Sequence, residues 1–197
     1  MKHFSILSKK YFKCIVIGVS AGGMRALNKL LPVIPLEFPI PIVIVQHIHK
    51  SSTGFYIESL NSKCHITVKL AENNETLKSG FAYFAPPDNH VQITEEHKIL
   101  LTKDEKVNYS RPAIDVLFNS ASEIFEKNLL GIILTGANYD GTEGMEAIKQ
   151  AGGFTIAQNP IDAEYPVMPK SAVDSGKIDL ILTLDEISSV FINWRRT

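Results

Sequence analysis

Short runs of apolar, mostly β-branched residues recur along this chain, and most are separated by a stretch long enough for a helix. The runs lie at residues 14–18, 42–45, 66–68, 130–134, 154–157 and 180–182. Several are apolar at consecutive rather than alternate positions, which is typical of strands covered on both faces. Helical patterns lie at about residues 23–31, 52–62, 112–127, 142–151 and 185–194. This alternation predicts an α/β fold with a doubly wound, mostly parallel sheet and helices on both faces.

The middle of the chain departs from this alternation. Three short apolar segments at residues 81–85, 91–93 and 98–102 follow one another closely, and Pro86-Pro87-Asp88-Asn89 forms a turn signal between the first two. This spacing predicts a small antiparallel hairpin region at about residues 81–102, attached to the main sheet. Because no linker, repeat or low-complexity tract is visible, we expect one domain over residues 1–197, with residues 1–12 as an N-terminal extension.

One helix boundary is marked strongly. Ser110-Arg111-Pro112 places a serine and a proline immediately before apolar residues at helical spacing. Serine is a preferred capping residue, and proline is tolerated in the first turn of a helix. We therefore expect a helix that begins here with Ser110 as its cap.

Composition narrows the classes of function. The chain has 45% hydrophobic and 21% charged residues, enough for a full core, and its formal net charge of -1 argues against a nucleic-acid partner. It has two cysteines, Cys14 and Cys64, which indicates a reducing compartment. Since no signal peptide or membrane span is apparent, we expect a cytoplasmic protein that is not embedded in a membrane.

A serine bracketed by glycines follows the first apolar run, in Gly18-Val19-Ser20-Ala21-Gly22-Gly23. A strand, an exposed serine and a helix start are the parts of a nucleophile elbow. A glycine-rich turn between a strand and a helix can also bind a phosphate or a nucleotide. This segment alone leaves a hydrolase and a nucleotide-binding protein equally open.

Two further polar residues follow strands of the predicted sheet. His47 comes after the second apolar run, and Asp140 comes after the fourth. Ligands of open parallel sheets bind beyond the carboxyl ends of the strands, so Ser20, His47 and Asp140 are predicted to share one edge. A serine nucleophile needs a histidine to take its proton and a carboxylate to orient that histidine. Taken singly, the three could be a turn residue, a hydrogen-bonded histidine and a helix cap assisted by Glu143.

Other sites fit the sequence less well. The order serine, acid, histidine of many α/β-hydrolases fails because His97 is the last histidine. A metal site on His47-Ile48-His49 lacks a third ligand at a recognisable spacing, and a dinucleotide site would need an acidic residue where the chain has Gln46-His47. We therefore expect neither a metal nor a cofactor.

Several segments together resemble the catalytic domain of the chemotaxis protein-glutamate methylesterases, the CheB family. They are Gly18 to Gly23, Gln46-His47, Phe84 to His90, Ser110 to Phe118, Gly131 to Gly136, Asp140 to Met145, Ala151 to Gln158 and Met168-Pro169. They occur in order from about residue 14 to residue 176. The combination is highly specific, although the serine motif alone is not.

The resemblance implies a doubly wound α/β serine hydrolase that removes methyl esters from glutamyl γ-carboxylates of chemoreceptors and often deamidates glutamine. It assigns Ser20 as nucleophile, His47 as general base and acid, and Asp140 as orienting carboxylate. By position, we expect the backbone N–H groups of Ala21 and Ala137 to bind the oxyanion. The expected partner is a methylated chemoreceptor or a related signalling protein.

The chain also departs from the family pattern. Members usually carry an N-terminal receiver domain, whereas the catalytic segment begins here almost at once, so we expect a stand-alone form without phosphorylation in cis and with a trans-acting signalling partner. Positions 21 and 137, often threonine and methionine, are both alanine. Ala137-Asn138-Tyr139 is bulkier than the usual loop and would narrow the substrate cleft, and the stretch from Asn159 to Pro169 is either a wall of that cleft or a surface loop. The alternative to an enzyme is a non-catalytic or repurposed signalling-interaction module on the same scaffold.

Overall fold

The computed structural model of the protein describes residue 7, residues 10–47 and residues 53–194. Within these residues the strands are β1 (Cys14–Val19), β2 (Ile42–Gln46), β3 (Thr67–Leu70), β4 (Phe81–Phe84), β5 (His90–Ile93), β6 (Ile99–Thr102), β7 (Leu129–Ile133), β8 (Phe154–Gln158) and β9 (Leu180–Leu182). The helices are α1 (Gly23–Leu30), α2 (Thr53–Asn61), α3 (Ile114–Phe125), α4 (Thr142–Gln150), α5 (Val167–Asp174) and α6 (Leu184–Ile192). The α/β prediction is confirmed.

Seven of these strands form one parallel sheet in the order β3-β4-β2-β1-β7-β8-β9. Strand β1 lies at its centre and pairs with β2 on one side and β7 on the other, with Val16 opposite both Val43 and Gly131. Because the three strands run in the same direction, their carboxyl ends lie side by side. The loops that follow β2, β1 and β7 therefore meet at one edge of the sheet.

The sheet is covered on both faces, which explains the consecutive apolar residues in its strands. Ile15 and Ile17 of β1 pack in a core covered by α1, α2 and α6, whereas Cys14 and Val16 pack in a second core covered by α3, α4 and α5. All six residues of β1 are buried. Because successive side chains of a strand point to opposite faces of the sheet, β1 contributes apolar residues to both cores.

The predicted antiparallel hairpin is confirmed for its second and third strands, but its first strand belongs to the main sheet. Strands β5 and β6 form an antiparallel pair in a sheet of their own, and the N–H of Ile93 donates to Oγ of Ser120 on α3 at 3.1 Å. The segment predicted as the first hairpin strand is instead β4, which lies between β2 and β3 and runs parallel to both. Its residues Ala82, Tyr83 and Phe84 are buried, and such a short apolar strand has no periodicity that distinguishes the two arrangements.

One helix was not predicted, and the start of another differs from the prediction. The missed helix is α5, which begins within the segment Asn159 to Pro169 and has Pro169 in its first turn, where the missing N–H costs nothing. Helix α3 begins at Ile114 after Ala113, so Ser110 is not its cap. The hydroxyl of Ser110 instead contacts the carbonyl of Asn108, and the cap of α3 comes from a distant carboxylate.

Candidate active site

Ser20 lies immediately after β1, in the turn that leads to α1. Its N–H donates to the carbonyl of Thr135 at 3.0 Å, and its carbonyl accepts from the N–H of Gly23 at 2.9 Å. Gly22 has a φ of 76°, in the left-handed region that favours glycine, and a Cβ there would lie 2.9 Å from Oγ1 of Thr135. The turn is therefore tight and fixed against the loop that follows β7.

His47 and Asp140 meet Ser20 at this edge. Nδ1 of His47 lies 3.1 Å from Oγ of Ser20, and Nε2 lies 3.0 Å from Oδ2 of Asp140. The Nε2 contact has the distance of a hydrogen bond, but its alignment falls outside ideal hydrogen-bond geometry. A carboxylate beside Nε2 favours the proton on that nitrogen, which leaves Nδ1 to accept from the serine hydroxyl. The sequence-predicted residues thus form one continuous contact chain.

Asp140 is completely buried and acts as the cap of α3. Oδ2 accepts from the N–H of Ile114 at 2.8 Å, and Oδ1 accepts from the N–H of Asp115 at 3.1 Å. Burial alone would raise the pKa of Asp140, but the contacts with His47 and with these two N–H groups hold that pKa below its ordinary value. The carboxylate is therefore ionised at neutral pH and fixed by both of its oxygens.

Asp140 does not cap the helix that follows it. Helix α4 has Gly141 as its first capping residue, with a φ of 95° and no side-chain cap. Its N–H group at Gly144 donates instead to Oδ1 of Asp115 at 2.7 Å. Helix α3 is thus capped by Asp140, which precedes α4, and helix α4 is capped by Asp115, which belongs to α3. Glu143 makes no capping box with Asp140.

Asp115 is a functional candidate that the sequence reasoning missed. It is only 2% exposed, and its Oδ2 lies 2.7 Å from Nδ2 of Asn108, which also donates to Oδ1 of Asp140 at 3.2 Å. Burial raises the pKa of Asp115 to about 6, the N–H of Gly144 opposes this, and the charge of Asp140 adds to it. A signal existed in the sequence: an acidic residue at an otherwise apolar face of a predicted helix.

The loop that carries Asn108 is anchored on both sides. The Arg111 guanidinium contacts Oδ1 of Asp88 at 2.7 Å and donates to the carbonyls of Lys103 and Asp104 at 2.9 and 2.8 Å. Buried His90 accepts from the N–H of Ala113 at 3.2 Å and contacts the carbonyl of Glu105 at 3.0 Å. These contacts hold Asn108 against the two buried carboxylates.

The predicted oxyanion donors lie in the turns after β1 and β7. Ala21 is half-buried and Ala137 is exposed. Within the part of the chain that the structure describes, neither amide donates a hydrogen bond to a protein acceptor. Both N–H groups are therefore available to a ligand oxygen.

Two exposed tyrosines lie on segments that lead to or contact the loop after β7. Tyr139 precedes Asp140, and Tyr165 lies on the segment that follows β8, with 56% and 43% of their surface exposed. The Tyr165 backbone is bound to the β7 loop, since its N–H donates to Oγ1 of Thr135 at 2.9 Å and its carbonyl accepts from Gly136 at 3.0 Å. The segment predicted as either a cleft wall or a surface loop is thus attached to the loop that ends in Asp140.

The structure describes only part of the residues on which the rival hypotheses depend. Ile48 and His49 of the proposed metal motif lie outside the described residues, and the described residues contain no cluster of three or more histidine, cysteine, aspartate or glutamate side chains suited to a metal. Burial raises the pKa of the Cys64 thiol to about 11 and that of Cys14 further, so neither is an activated nucleophile.

Comparisons with known proteins agree with the architecture. The family model described as CheB methylesterase matches residues 15–191. A relative from Leptospira interrogans is 47% identical over 181 residues, which is 92% of this chain and 94% of the relative. The Thermotoga maritima relative named protein-glutamate methylesterase/protein-glutamine glutaminase is 38% identical; the match covers 91% of this chain and 53% of that protein.

A solved structure is also similar. The crystal structure of the Thermotoga maritima CheB methylesterase catalytic domain has a TM-score of 0.88 and 38% sequence identity, and the match covers 92% of this chain and 97% of that one. The chain therefore spans about half of the full Thermotoga relative and nearly all of its catalytic domain.

Proposed function

Because the chain belongs to the CheB methylesterase family, whose named relatives are carboxylic ester hydrolases, we propose that Ser20, His47 and Asp140 form its catalytic triad. The observation that carries the proposal is the contact chain from Ser20 Oγ through both nitrogens of His47 to buried Asp140. The reaction proposed is hydrolysis of glutamyl γ-methyl esters on chemoreceptors.

The first half of the reaction forms an acyl-enzyme. Nδ1 of His47 takes the hydroxyl proton as Oγ of Ser20 attacks the ester carbonyl, giving a tetrahedral oxyanion. Asp140 stabilises the imidazolium through Nε2. When the intermediate collapses, the C–O bond to the methoxy group breaks, His47 returns the proton to that oxygen, and methanol leaves.

The second half restores the enzyme. His47 takes a proton from water, the resulting hydroxide attacks the glutamyl carbonyl, and the bond to Oγ of Ser20 breaks as the serine regains its proton. The product is a glutamyl carboxylate. A glutamine side chain would follow the same route with ammonia in place of methanol, which agrees with the glutaminase part of the relatives' names.

The oxyanion requires hydrogen-bond donors, for which we assign the N–H groups of Ala21 and Ala137. Losing one such donor typically lowers kcat by about 100-fold to 1,000-fold. Ala137→Pro removes the N–H, whereas Ala137→Ser retains it and serves as the matched control. Equal activity in the two variants would remove Ala137 from the oxyanion site.

We infer that the reaction takes place in the cytoplasm, since both cysteines are free thiols. None of the described helices is long and apolar enough to cross a membrane. The protein would therefore meet the cytoplasmic part of a methylated receptor as a separate partner.

The decisive test measures methanol release from a receptor fragment carrying labelled glutamyl methyl esters. Ser20→Ala should abolish release, with kcat falling by roughly 10⁴-fold or more. Ser189→Ala is the matched control, because Ser189 is an exposed serine on α6. Undiminished release by Ser20→Ala would reject the triad, and no release by the wild-type protein would favour the interaction-module alternative.

A further inference from the structure

Two buried carboxylates lie together at the start of α3, and one amide connects them. Nδ2 of Asn108 donates to Oδ2 of Asp115 at 2.7 Å and to Oδ1 of Asp140 at 3.2 Å. An NH₂ group has two hydrogens, so one can serve each carboxylate. We call Asp115, Asn108 and Asp140 the carboxylate bridge.

The bridge accounts for the orientation of Asp140. Asn108 and the N–H of Asp115 donate to Oδ1, so this oxygen cannot rotate toward His47 without losing both hydrogen bonds. Oδ2 is consequently the oxygen that remains 3.0 Å from His47. Fixing one oxygen of the carboxylate therefore fixes the other against the imidazole.

The orientation of the Asn108 amide depends in turn on Asp115. An ionised carboxylate accepts hydrogen bonds and cannot donate them, so Oδ2 of Asp115 selects the NH₂ end of the amide. If the amide turned over, its oxygen would face Oδ1 of Asp140, and two acceptors would meet in a buried site. Ionised Asp115 thus reinforces the preference of Asp140 for the NH₂ end of Asn108.

We propose that Asn108 and Asp115 are positioning residues of the triad: Asp115 orients the Asn108 amide, and Asn108 holds Asp140 in place for His47. This inference rests on the proposed catalytic roles of Ser20, His47 and Asp140. It assigns no contact with substrate to either residue. Its prediction is that the reactivity of Ser20 depends on the ionisation of Asp115.

The surroundings of Asp115 make that dependence specific. Asp140 is the titratable group that faces it directly, and His47 lies beyond Asp140. From the start of α4 the facing groups are the N–H groups of Gly144 and Gly141, and from the loop the facing group is uncharged Asn108. His90 contacts the backbone two residues before Asp115. Burial raises the pKa of Asp115 to about 6, so its charge changes within the range in which an enzyme assay is practical.

The test measures the second-order rate at which a fluorophosphonate probe labels Ser20 between pH 5 and 9. In this reaction Oγ attacks phosphorus, fluoride leaves and His47 takes the hydroxyl proton, so no natural substrate is needed. We expect Asn108→Ala and Asp115→Asn each to slow labelling by about 10-fold to 100-fold at pH 8, the range found when a metal-ligating histidine loses the partner that orients it. Asn119→Ala, on the exposed side of α3, is the matched control.

Two readouts separate positioning from loss of structure. The wild-type to Asp115→Asn rate ratio should fall toward 1 as the pH drops below about 6, because wild-type Asp115 is then neutral as well. The double variant should be no slower than either single variant, since both act through one amide. A ratio that is constant with pH, or effects that multiply, would overturn the proposal.

Methanol release measured in parallel distinguishes the two levels of argument. If Ser20 labels in this bridge-dependent manner but no methanol is released, the proposed substrate is wrong and the positioning roles stand. If methanol is released and the variants label like wild type, the positioning roles are wrong. An unreactive wild-type Ser20 overturns both. Asn108→Ala keeps the test valid if Asp115→Asn does not fold, because Asn108 is a half-buried loop residue.

Discussion

Replacing Asp115 with asparagine should change how the stability of the folded protein depends on pH. Burial raises the pKa of Asp115 from 3.8 to about 6 in the folded state. Between these values the native protein holds a proton on Asp115 that the unfolded chain has already released. The contribution of Asp115 to the free energy of unfolding is therefore fully present below the unfolded pKa and is lost as the pH rises through about 6.

The size of this effect follows from the two pKa values. The interval from 3.8 to about 6 corresponds to about 3 kcal/mol, and Asp115 is too well buried for solvent to screen much of it. Asparagine cannot titrate, and unfolded Asp115 is already partly ionised at pH 4, so the stability of Asp115→Asn minus that of wild type should rise by about 2.5 kcal/mol between pH 4 and pH 7.5. For a chain of this length that is roughly 5 to 10 °C in Tm.

Urea unfolding of both proteins at half-unit pH steps would measure this difference. At pH 4 folded Asp115 is mostly protonated, so the stability difference between variant and wild type there reflects mainly the altered hydrogen bonds. The change of that difference with pH reports the effect of the Asp115 charge. Asp185→Asn removes an exposed carboxylate on α6 and controls for net charge. If the stability difference between Asp115→Asn and wild type stays constant or falls as the pH rises, ionisation of buried Asp115 does not destabilise the folded protein, and the argument is refuted.

Three further substitutions test the packing around the site. Thr135→Val should lower the free energy of unfolding by about 1 kcal/mol, because the carbonyl of Ala21 and the N–H of Tyr165 lose their part-buried hydrogen bonds to the hydroxyl. Urea unfolding measures this, and wild-type stability would contradict it. Gly144→Ala should lower Tm in calorimetry, since its Cβ would lie 2.4 Å from Cβ of Phe118, whereas Gly54→Ala, with no atom within 4 Å, should not; equal Tm values would contradict the packing. Arg111→Lys should increase proteolytic cleavage of the 103–111 loop, because lysine cannot reproduce the guanidinium contacts with two carbonyls and a carboxylate, and unchanged cleavage would argue against that anchor.

The sequence was sufficient for six of the seven strands of the sheet and for the three residues at its edge. Strands covered on both faces have an apolar signature, and residues that follow parallel strands converge whatever their separation in the chain. This is how Ser20, His47 and Asp140 could be grouped before any distance was known. Their roles in catalysis stay predictions, as do those of the Ala21 and Ala137 amides.

The parts that could not be predicted depend on tertiary contacts. The cap of α3 is Asp140, which follows β7, so the local signal at Ser110 was misleading. Strand β4 has the length and composition of a hairpin strand, and only its neighbours in the sheet make it parallel. Asp115 was overlooked because acidic residues in a helix usually face solvent, whereas here two helices pack with a carboxylate between them.

The crossed caps at α3 and α4 also have a consequence for local unfolding. The N–H groups of Ile114 and Asp115 depend on Asp140, and the N–H of Gly144 depends on Asp115, so neither helix can begin to fray without releasing a hydrogen bond of the other. These three amides should therefore exchange with solvent deuterium at a common opening free energy, although they lie on two separate helices. The first turns of α3 and α4 would behave as one cooperative unit, and Asp140, which contacts His47, would lose its backbone hydrogen bonds only when that unit opens.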